Sequence, residues 1–392
     1  MNINEIIINS MNRNASDIHV VCGLPVRIRI HGELTDYDEH VLTHEDCEEI
    51  AFALAGEDYK QIEEIGELDF ARSIPVGDGS LRTRVNVFRQ QGHASAAIRI
   101  LMGRIPQLEK LGLPDSVAGF VNYQRGIVLV TGETGSGKST TLAALLDKIN
   151  HSRKEHIITL EDPVEYIYTP DLCTVNQREI GRDTKSYDDG LRAALREDPD
   201  VILIGEMRGL DTIETAITAA ETGHLVFATL HTNSASDAVE RIVNVFPGEK
   251  QQQIRLQLSL TLKAVLSQQL LPKKSGTGRA LACEVMIVNS AIRNLIREGK
   301  TPQINNTIQT SMAEGSMTMD TALVKLVQSG DITPEVALNA SFDQDSIRAR
   351  LGLGGGPGAG IGGMGNAGMG AGSRGATAGR PGQAPAQRGL FR

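Results

Sequence analysis

The sequence predicts an α/β protein in two unequal parts, a small mixed module followed by a larger parallel sheet wound by crossover helices. Three observations predict it. Four short apolar runs, at 126–131, 156–161, 201–204 and 225–230, alternate with segments of helical spacing. That is the pattern of strands covered on both faces by crossover helices. The first run leads directly into Gly132-Glu133-Thr134-Gly135-Ser136-Gly137-Lys138-Ser139-Thr140, and then into Leu142, Leu145, Leu146 and Ile149 at helical spacing. Strand, glycine turn and helix therefore follow without a gap. Ahead of them, 26–30, 81–87 and 97–100 alternate apolar and polar residues with period two, as half-buried strands do.

The remaining elements follow from start and stop signals. Thr43 and Glu45 open a helix that runs through Leu54 and stops at Gly56. Gly103, Pro106 and Gly112 mark a connector. Past residue 250 the pattern turns helical, including 251–271 and 319–327. After Leu351 the chain is rich in glycine with proline, alanine and methionine, too little apolar surface to offset the entropy of ordering it, so a disordered tail is expected. The expected divisions are 1–101, 102–113 as linker, 114–350, and the tail 351–392.

Composition narrows the function classes. With 392 residues and 40% hydrophobic residues, the chain can bury more than one core. No run reaches the roughly 18 to 20 apolar residues of a membrane span. The N-terminus, Met1-Asn2-Ile3-Asn4-Glu5, lacks a basic, then apolar leader, so a cytoplasmic protein without direct membrane insertion is expected. Cys22, Cys47, Cys173 and Cys283 are scattered without a CxxC pair, which implies neither zinc nor a disulfide framework. Net charge is −9, and the tail holds Arg374, Arg380, Arg388 and Arg392 without an acid, leaving −13 on the body. A body so acidic is a poor general nucleic-acid binder, and no nucleic-acid partner is expected.

Residues 132–140 carry the chemistry. Their glycines let successive backbone N–H groups converge on phosphates, and the helix N-terminus favours the negative charge. Lys138 can reach the β- and γ-phosphates, and the Ser139 hydroxyl can ligate Mg²⁺. Three further clusters sit at strand ends, where ligands of such sheets gather. Glu161, Asp162 and Glu165 flank Pro163 after the second apolar run; carboxylates there can hold metal-bound water or orient an attacking one. Val201-Ile202-Leu203-Ile204-Gly205-Glu206 ends in a carboxylate placed to activate water beside a γ-phosphate. Gly205 stands where many phosphate-loop ATPases have a metal-organising Asp, which shifts that task to Ser139, the 161–165 carboxylates and water. His231 closes the fourth run, either contacting phosphate or Glu206, or serving as a core or capping histidine. Arg82 and Arg84 share one strand face, Arg99 lies on another strand, and Arg192 and Arg196 are four apart on a helix. Spacing alone selects none of them.

Together these motifs resemble the secretion-superfamily hexameric ATPases, most closely their type IV pilus retraction (PilT-type) branch, from Asn2 to about Phe342. Ala15-Ser16-Asp17-Ile18-His19 with Gly23-Leu24-Pro25 is similar to that family's opening, Glu133 to Thr140 to its Walker A, and Thr159 to Glu165 to its Asp box. Arg196 to Arg208 resembles its Walker B, and Thr222 to Thr232 its His box. Ala291-Ile292-Arg293-Asn294-Leu295-Ile296-Arg297-Glu298, by pattern only an amphipathic helix, resembles the signature of retraction rather than extension motors. Gly209 departs from the acidic residue expected after Met207-Arg208, the tail is unusually long, and the four-cysteine zinc insertion of some relatives is missing. The resemblance implies a PAS-like first domain, a RecA-like ATPase domain and a homo-hexamer using ATP and Mg²⁺. Catalytic positions would be Glu206, Glu165, Glu161, Lys138 and His231, with nucleotide on 133–140 and metal on Ser139 and, through water, Glu165. Arg84 and Arg99 would make trans contacts, and Arg192 and Arg196 would line the interface. Implied partners are an inner-membrane pilus platform protein and other pilus motor ATPases.

Overall fold

In the computed structural model, residues 2–30, 32–77, 79–101 and 104–353 are described. Residues 354–392 of the expected tail and Met102 and Gly103 of the expected linker lie outside them. The first part comprises α1 (Ile3–Asn12), β1 (Ala15–Val20), β2 (Pro25–Ile30), β3 (Glu33–Val41), α2 (His44–Ala55), α3 (Tyr59–Ile65), β4 (Glu67–Val76), β5 (Gly79–Gln90) and β6 (His93–Ile100). Its six strands form an antiparallel sheet in the order β3-β2-β1-β6-β5-β4. The period-two pattern does what alternation requires. On β5, Leu81, Thr83, Val85 and Val87 are buried, while Arg82 and Arg84 take the opposite face. Helix α2 begins at a capping box between Thr43 and Asp46 and ends at Gly56, whose φ of +59° suits glycine. Ile7, Ile18, Ile28, Ile50 and Ile98 join the β5 residues in one core.

The second part contains α4 (Asp115–Ala118), β7 (Gly126–Thr131), α5 (Lys138–Asn150), β8 (His156–Glu161), β9 (Thr174–Glu179), α6 (Tyr187–Ala194), β10 (Val201–Ile204), α7 (Leu210–Glu221) and β11 (Leu225–Leu230). It continues with α8 (Ala235–Asn244), α9 (Gly248–Thr261), β12 (Leu262–Pro272) and β13 (Arg279–Ile287). It closes with α10 (Ser290–Glu298), α11 (Ile304–Thr310), α12 (Met319–Gln328), α13 (Pro334–Ala340) and α14 (Gln344–Arg350). The sheet order is β13-β12-β7-β11-β10-β8-β9, parallel throughout except for the β12–β13 hairpin. Successive residues feed opposite layers. Ile127, Leu129, Ile202, Ile204 and Val226 pack on one side; Val128, Val130, Leu203, Leu225 and Phe227 pack on the other. Burying each such side chain contributes about 1.5–3 kcal/mol, so the apolar runs drive the sheet.

All four apolar runs are strands with the expected bounds. The helix expected over 251–271 is not. Helix α9 ends at Thr261, and Leu262–Pro272 is a strand pairing Ala264 with Val128 and Leu266 with Val130. Leucines at helical spacing suited either element, and the open edge of β7 decided it: Leu262, Ala264, Val265 and Leu266 are fully buried there. Strands β1, β3, β4, β9 and β13 also lack a distinct sequence signal among the readings above.

Candidate nucleotide site

The site lies at the C-terminal edge of the parallel sheet. The loop leaves β7 at Gly132, whose φ is +139°; a Cβ there would stand 2.4 Å from the Gln268 carbonyl oxygen. Gly137, at φ +96°, caps the start of α5. The turn closes only with glycine at these points, and it aims the α5 N-terminus into the open edge. Lys138 is buried, and its Nζ donates to the carbonyl oxygens of Gly132 (2.7 Å) and Glu133 (2.9 Å). Burial pushes its ammonium below the ordinary lysine value, while Glu206 and Glu165 pull it back up. Both carboxylates therefore lie within the field of the loop lysine. Thr140 Oγ1 meets Tyr166 Oη at 3.0 Å, and Gln268 Nε2 donates to Thr141 Oγ1 at 2.8 Å, so β12 fastens α5 from the side. Clefts of about 610 and 430 Å³ open on either side of the loop. The larger is bounded by Glu133, Gly135 and Phe342, the smaller by Leu111, Thr140 and Leu281.

Glu206 follows β10, one strand away from β7 with β11 between them. Its Oε1 faces His231 Nε2 at 3.2 Å and pairs with the Arg208 guanidinium. Of the two readings open for His231, the structure places it against Glu206. His224 sits at the other end of β11, its Nδ1 at 2.9 Å from the Ala219 carbonyl, finishing α7. Gly205 has a steric reason. A Cβ there would approach Tyr187 Oη at 2.9 Å and the Leu160 carbonyl at 3.1 Å, so β8 and α6 leave no room for an aspartate. Ser139, Glu161, Tyr166 and Thr229 enclose a small cavity of about 30 Å³ beside that glycine.

The acidic loop after β8 is held by β9. Glu161 Oε1 accepts from Thr159 Oγ1 (2.7 Å) and Gln177 Nε2 (3.3 Å). Burial pushes the Glu161 carboxyl up to about 7, against those two hydrogen bonds. Glu179 Oε2 accepts from the Val164 N–H at 3.2 Å and from Arg82 Nη2 at 2.6 Å, while Arg82 Nε donates to the Val164 carbonyl at 3.0 Å. An arginine of the first sheet thus holds the carbonyl of the residue before Glu165 directly and its N–H through Glu179. Gln177, Glu179 and Gln268 carry no motif signal, because they act on partners 15 or more residues away in sequence.

The other arginines are tethered elsewhere. Arg84 pairs with Asp69 at 2.5 Å; that hydrogen bond holds its guanidinium above the ordinary value, with Asp162 and Glu165 of the same chain adding to it. Arg99 Nε meets Asp17 at 2.9 Å, Arg192 meets Asp188 at 3.0 Å, and Arg196 Nη1 donates to the Arg192 carbonyl at 3.3 Å. Among the described residues no group of three or more His, Cys, Asp or Glu could hold a metal, and the four cysteines are free thiols. No helix among them is long and apolar enough to cross a membrane.

A phosphate loop on a wound parallel sheet, facing carboxylates on neighbouring strand tips, defines a nucleoside triphosphatase of the P-loop class. The chain belongs to the Type II/IV secretion system protein family, which matches residues 1–338. It is 46% identical over 338 residues to the type IV pilus retraction ATPase PilT of Pseudomonas aeruginosa, covering 86% of this chain and 97% of that one. It is 43% identical to a twitching motility protein of Neisseria gonorrhoeae, covering 82% and 85%. The crystal structure of the pilus retraction motor PilT with bound ADP superposes with a TM-score of 0.83 at 47% identity, covering 89% of this chain and 99% of that one. The expected ATPase class and two-part α/β fold agree with these relatives.

Proposed function

We infer that this chain is a pilus retraction ATPase, an ATP-hydrolysing motor whose turnover powers type IV pilus disassembly. The observation that carries the reading is the placement of Glu206 and Glu165 within the field of Lys138 at one edge of the sheet. ATP would lay its phosphates along 133–140 and its base against Leu111, Leu270 and Leu281 in the smaller cleft. Lys138 would turn from the loop carbonyls to the γ-phosphate and neutralise its charge. Glu206 would orient the attacking water and accept its proton, with His231 setting the carboxylate's direction. Glu161 and Glu165 would position water, and Arg84 would add positive charge at the γ-phosphate held by a neighbouring subunit.

The donors suit Mg²⁺, which keeps several waters and takes few protein ligands besides phosphate: a hydroxyl at Ser139 and carboxylates at one remove, with no closed acidic cage among the described residues. When bound, Mg²⁺ would draw charge from the β- and γ-phosphate oxygens. The chain would assemble as a homo-hexamer, with Arg84 and Arg99 making trans contacts and Arg192 and Arg196 lining the interface. It would work in the cytoplasm at an inner-membrane platform protein, alongside other pilus motor ATPases. Its domains would be 1–101, PAS-like, and 114–350, RecA-like, joined by 102–113.

Phosphate release by the full chain tests the chemistry. Lys138→Ala should abolish it, and Glu206→Gln should retain ATP yet turn it over at least about a hundredfold more slowly. A Glu206→Gln enzyme with wild-type kcat would remove Glu206 from the mechanism. A deletion strain should be heavily piliated and unable to move over surfaces; bald cells would mean extension instead.

A further inference from the structure

The opposite edge of the second sheet carries a feature the hydrolysis reading does not use. Arg125 precedes β7, Lys263 begins β12, and Arg293 and Arg297 lie on α10. Arg255 projects from α9 toward the end of α10, its Cζ 3.5 Å from where a Cβ on Gly299 would stand. Gln252 Nε2 of α9 donates to the Arg297 carbonyl of α10 at 3.3 Å, and the Val288 N–H, between β13 and α10, donates to the Lys263 carbonyl of β12 at 2.9 Å. The five cations therefore follow one seam, at the strand ends away from the phosphate loop.

None of the five side chains makes an ion pair or hydrogen bond among the described residues. Arg293 Nε and Arg255 Nη1 are shielded from solvent with no acceptor at all. Burial lowers the Lys263 ammonium below its ordinary value, and the charges of Arg293 and Arg125 lower it further. Crowded cations with shielded, unused donors lack an anion. On α9, which carries Arg255, Leu256 and Leu260 stand 46% and 59% exposed, while Ile254 and Leu258 enter the core.

We propose that this seam is a docking site for an acidic peptide segment of a partner protein, with carboxylates on Arg125, Lys263, Arg293 and Arg255 and an aliphatic residue against Leu256 and Leu260. Charge complementarity selects this occupant. The chain's own tail from 354 onward holds arginines and no acid, so it is repelled. An anionic bilayer meets the −13 of the whole body, whereas a short acidic segment feels chiefly the cations within roughly a 10 Å screening length. On α10, Ile292 and Ile296 anchor the helix in the core, and Arg293 is left for the partner.

The test uses the full chain and a fluorescent peptide of alternating leucine and paired glutamates, followed by anisotropy. The wild type should bind it, more weakly as salt rises, and Lys263→Glu with Arg293→Glu should weaken binding at least about tenfold while leaving ATP turnover and sedimentation unchanged. Arg125→Glu, at an exposed position, should weaken binding severalfold without burdening folding. Equal binding by wild type and variants would overturn the proposal. So would phosphatidylglycerol vesicles that compete with the peptide for the same cations, which would point to lipid. Variants that sediment as smaller species would overturn it too, making the seam a contact between copies.

Discussion

Two residues show how closely the site is packed and what that costs. Gly205 lies between β8 and α6, where any Cβ meets a tyrosine hydroxyl and a backbone carbonyl inside 3.2 Å. Gly205→Ala must push β8 and β10 apart, which should cost about 1–3 kcal/mol and, by shifting the adjoining Glu206, lower kcat. Urea midpoints beside kcat check it, and an alanine variant matching wild type in both would show that the gap opens freely. Glu161 is the second case. Its carboxyl is raised from 4.5 to about 7 by burial. Below pH 4.5 it is neutral folded and unfolded, so it costs nothing. As pH climbs toward 7 the unfolded chain releases the proton first, and the folded state loses stability, by at most about 3 kcal/mol above pH 7. Glu161→Gln removes that titration. Its melting temperature should match wild type near pH 4.5 and exceed it increasingly up to pH 7, measured without nucleotide; parallel curves would mean that Glu161 ionises normally.

At the scale of elements, β9 organises what the motifs only announce. Val164 is fixed through its N–H by Glu179 and through its carbonyl by Arg82, so the turn bearing Glu165 depends on a contact between the two sheets. Arg82→Ala should lower kcat about tenfold with little change in the KM for ATP, because it loosens a positioned carboxylate and leaves the phosphate loop intact. Arg82→Lys restores charge but not the two-pronged grip and should recover only part. Steady-state kinetics decide it: a change confined to KM would place Arg82 in binding instead. This contact also marks the limit of what the sequence discloses. The phosphate loop, the Glu206 strand and the acidic turn are contiguous runs whose apolar residues can only be buried strands, so they are legible. Arg82 and Glu179 are 97 residues apart, and no local pattern joins them. Leu262–Pro272 failed for the same reason: its fate was set by the vacant edge of β7, not by its own spacing.

Over the whole molecule, the arginines differ in what holds them. Arg82 bonds the acidic loop of its own chain, whereas Arg84, Arg99, Arg192 and Arg196 are held by Asp69, Asp17, Asp188 and a helix carbonyl. In the proposed ring, charge stabilisation at one nucleotide would draw on residues of the next subunit, and one dead site should slow more than itself. Mixing Glu206→Gln chains into wild type under exchange conditions measures this. Independent sites lose activity in proportion to the variant fraction. If a single variant stalls a six-membered ring, one-fifth variant leaves only about 26% of rings intact, and activity should approach that figure rather than 80%. The curve separates two architectures by shape alone, without requiring the absolute rate. A straight line through the mixing series would mean that each chain completes its own site, with Arg82 and Arg84 sufficient and the exposed arginines serving assembly.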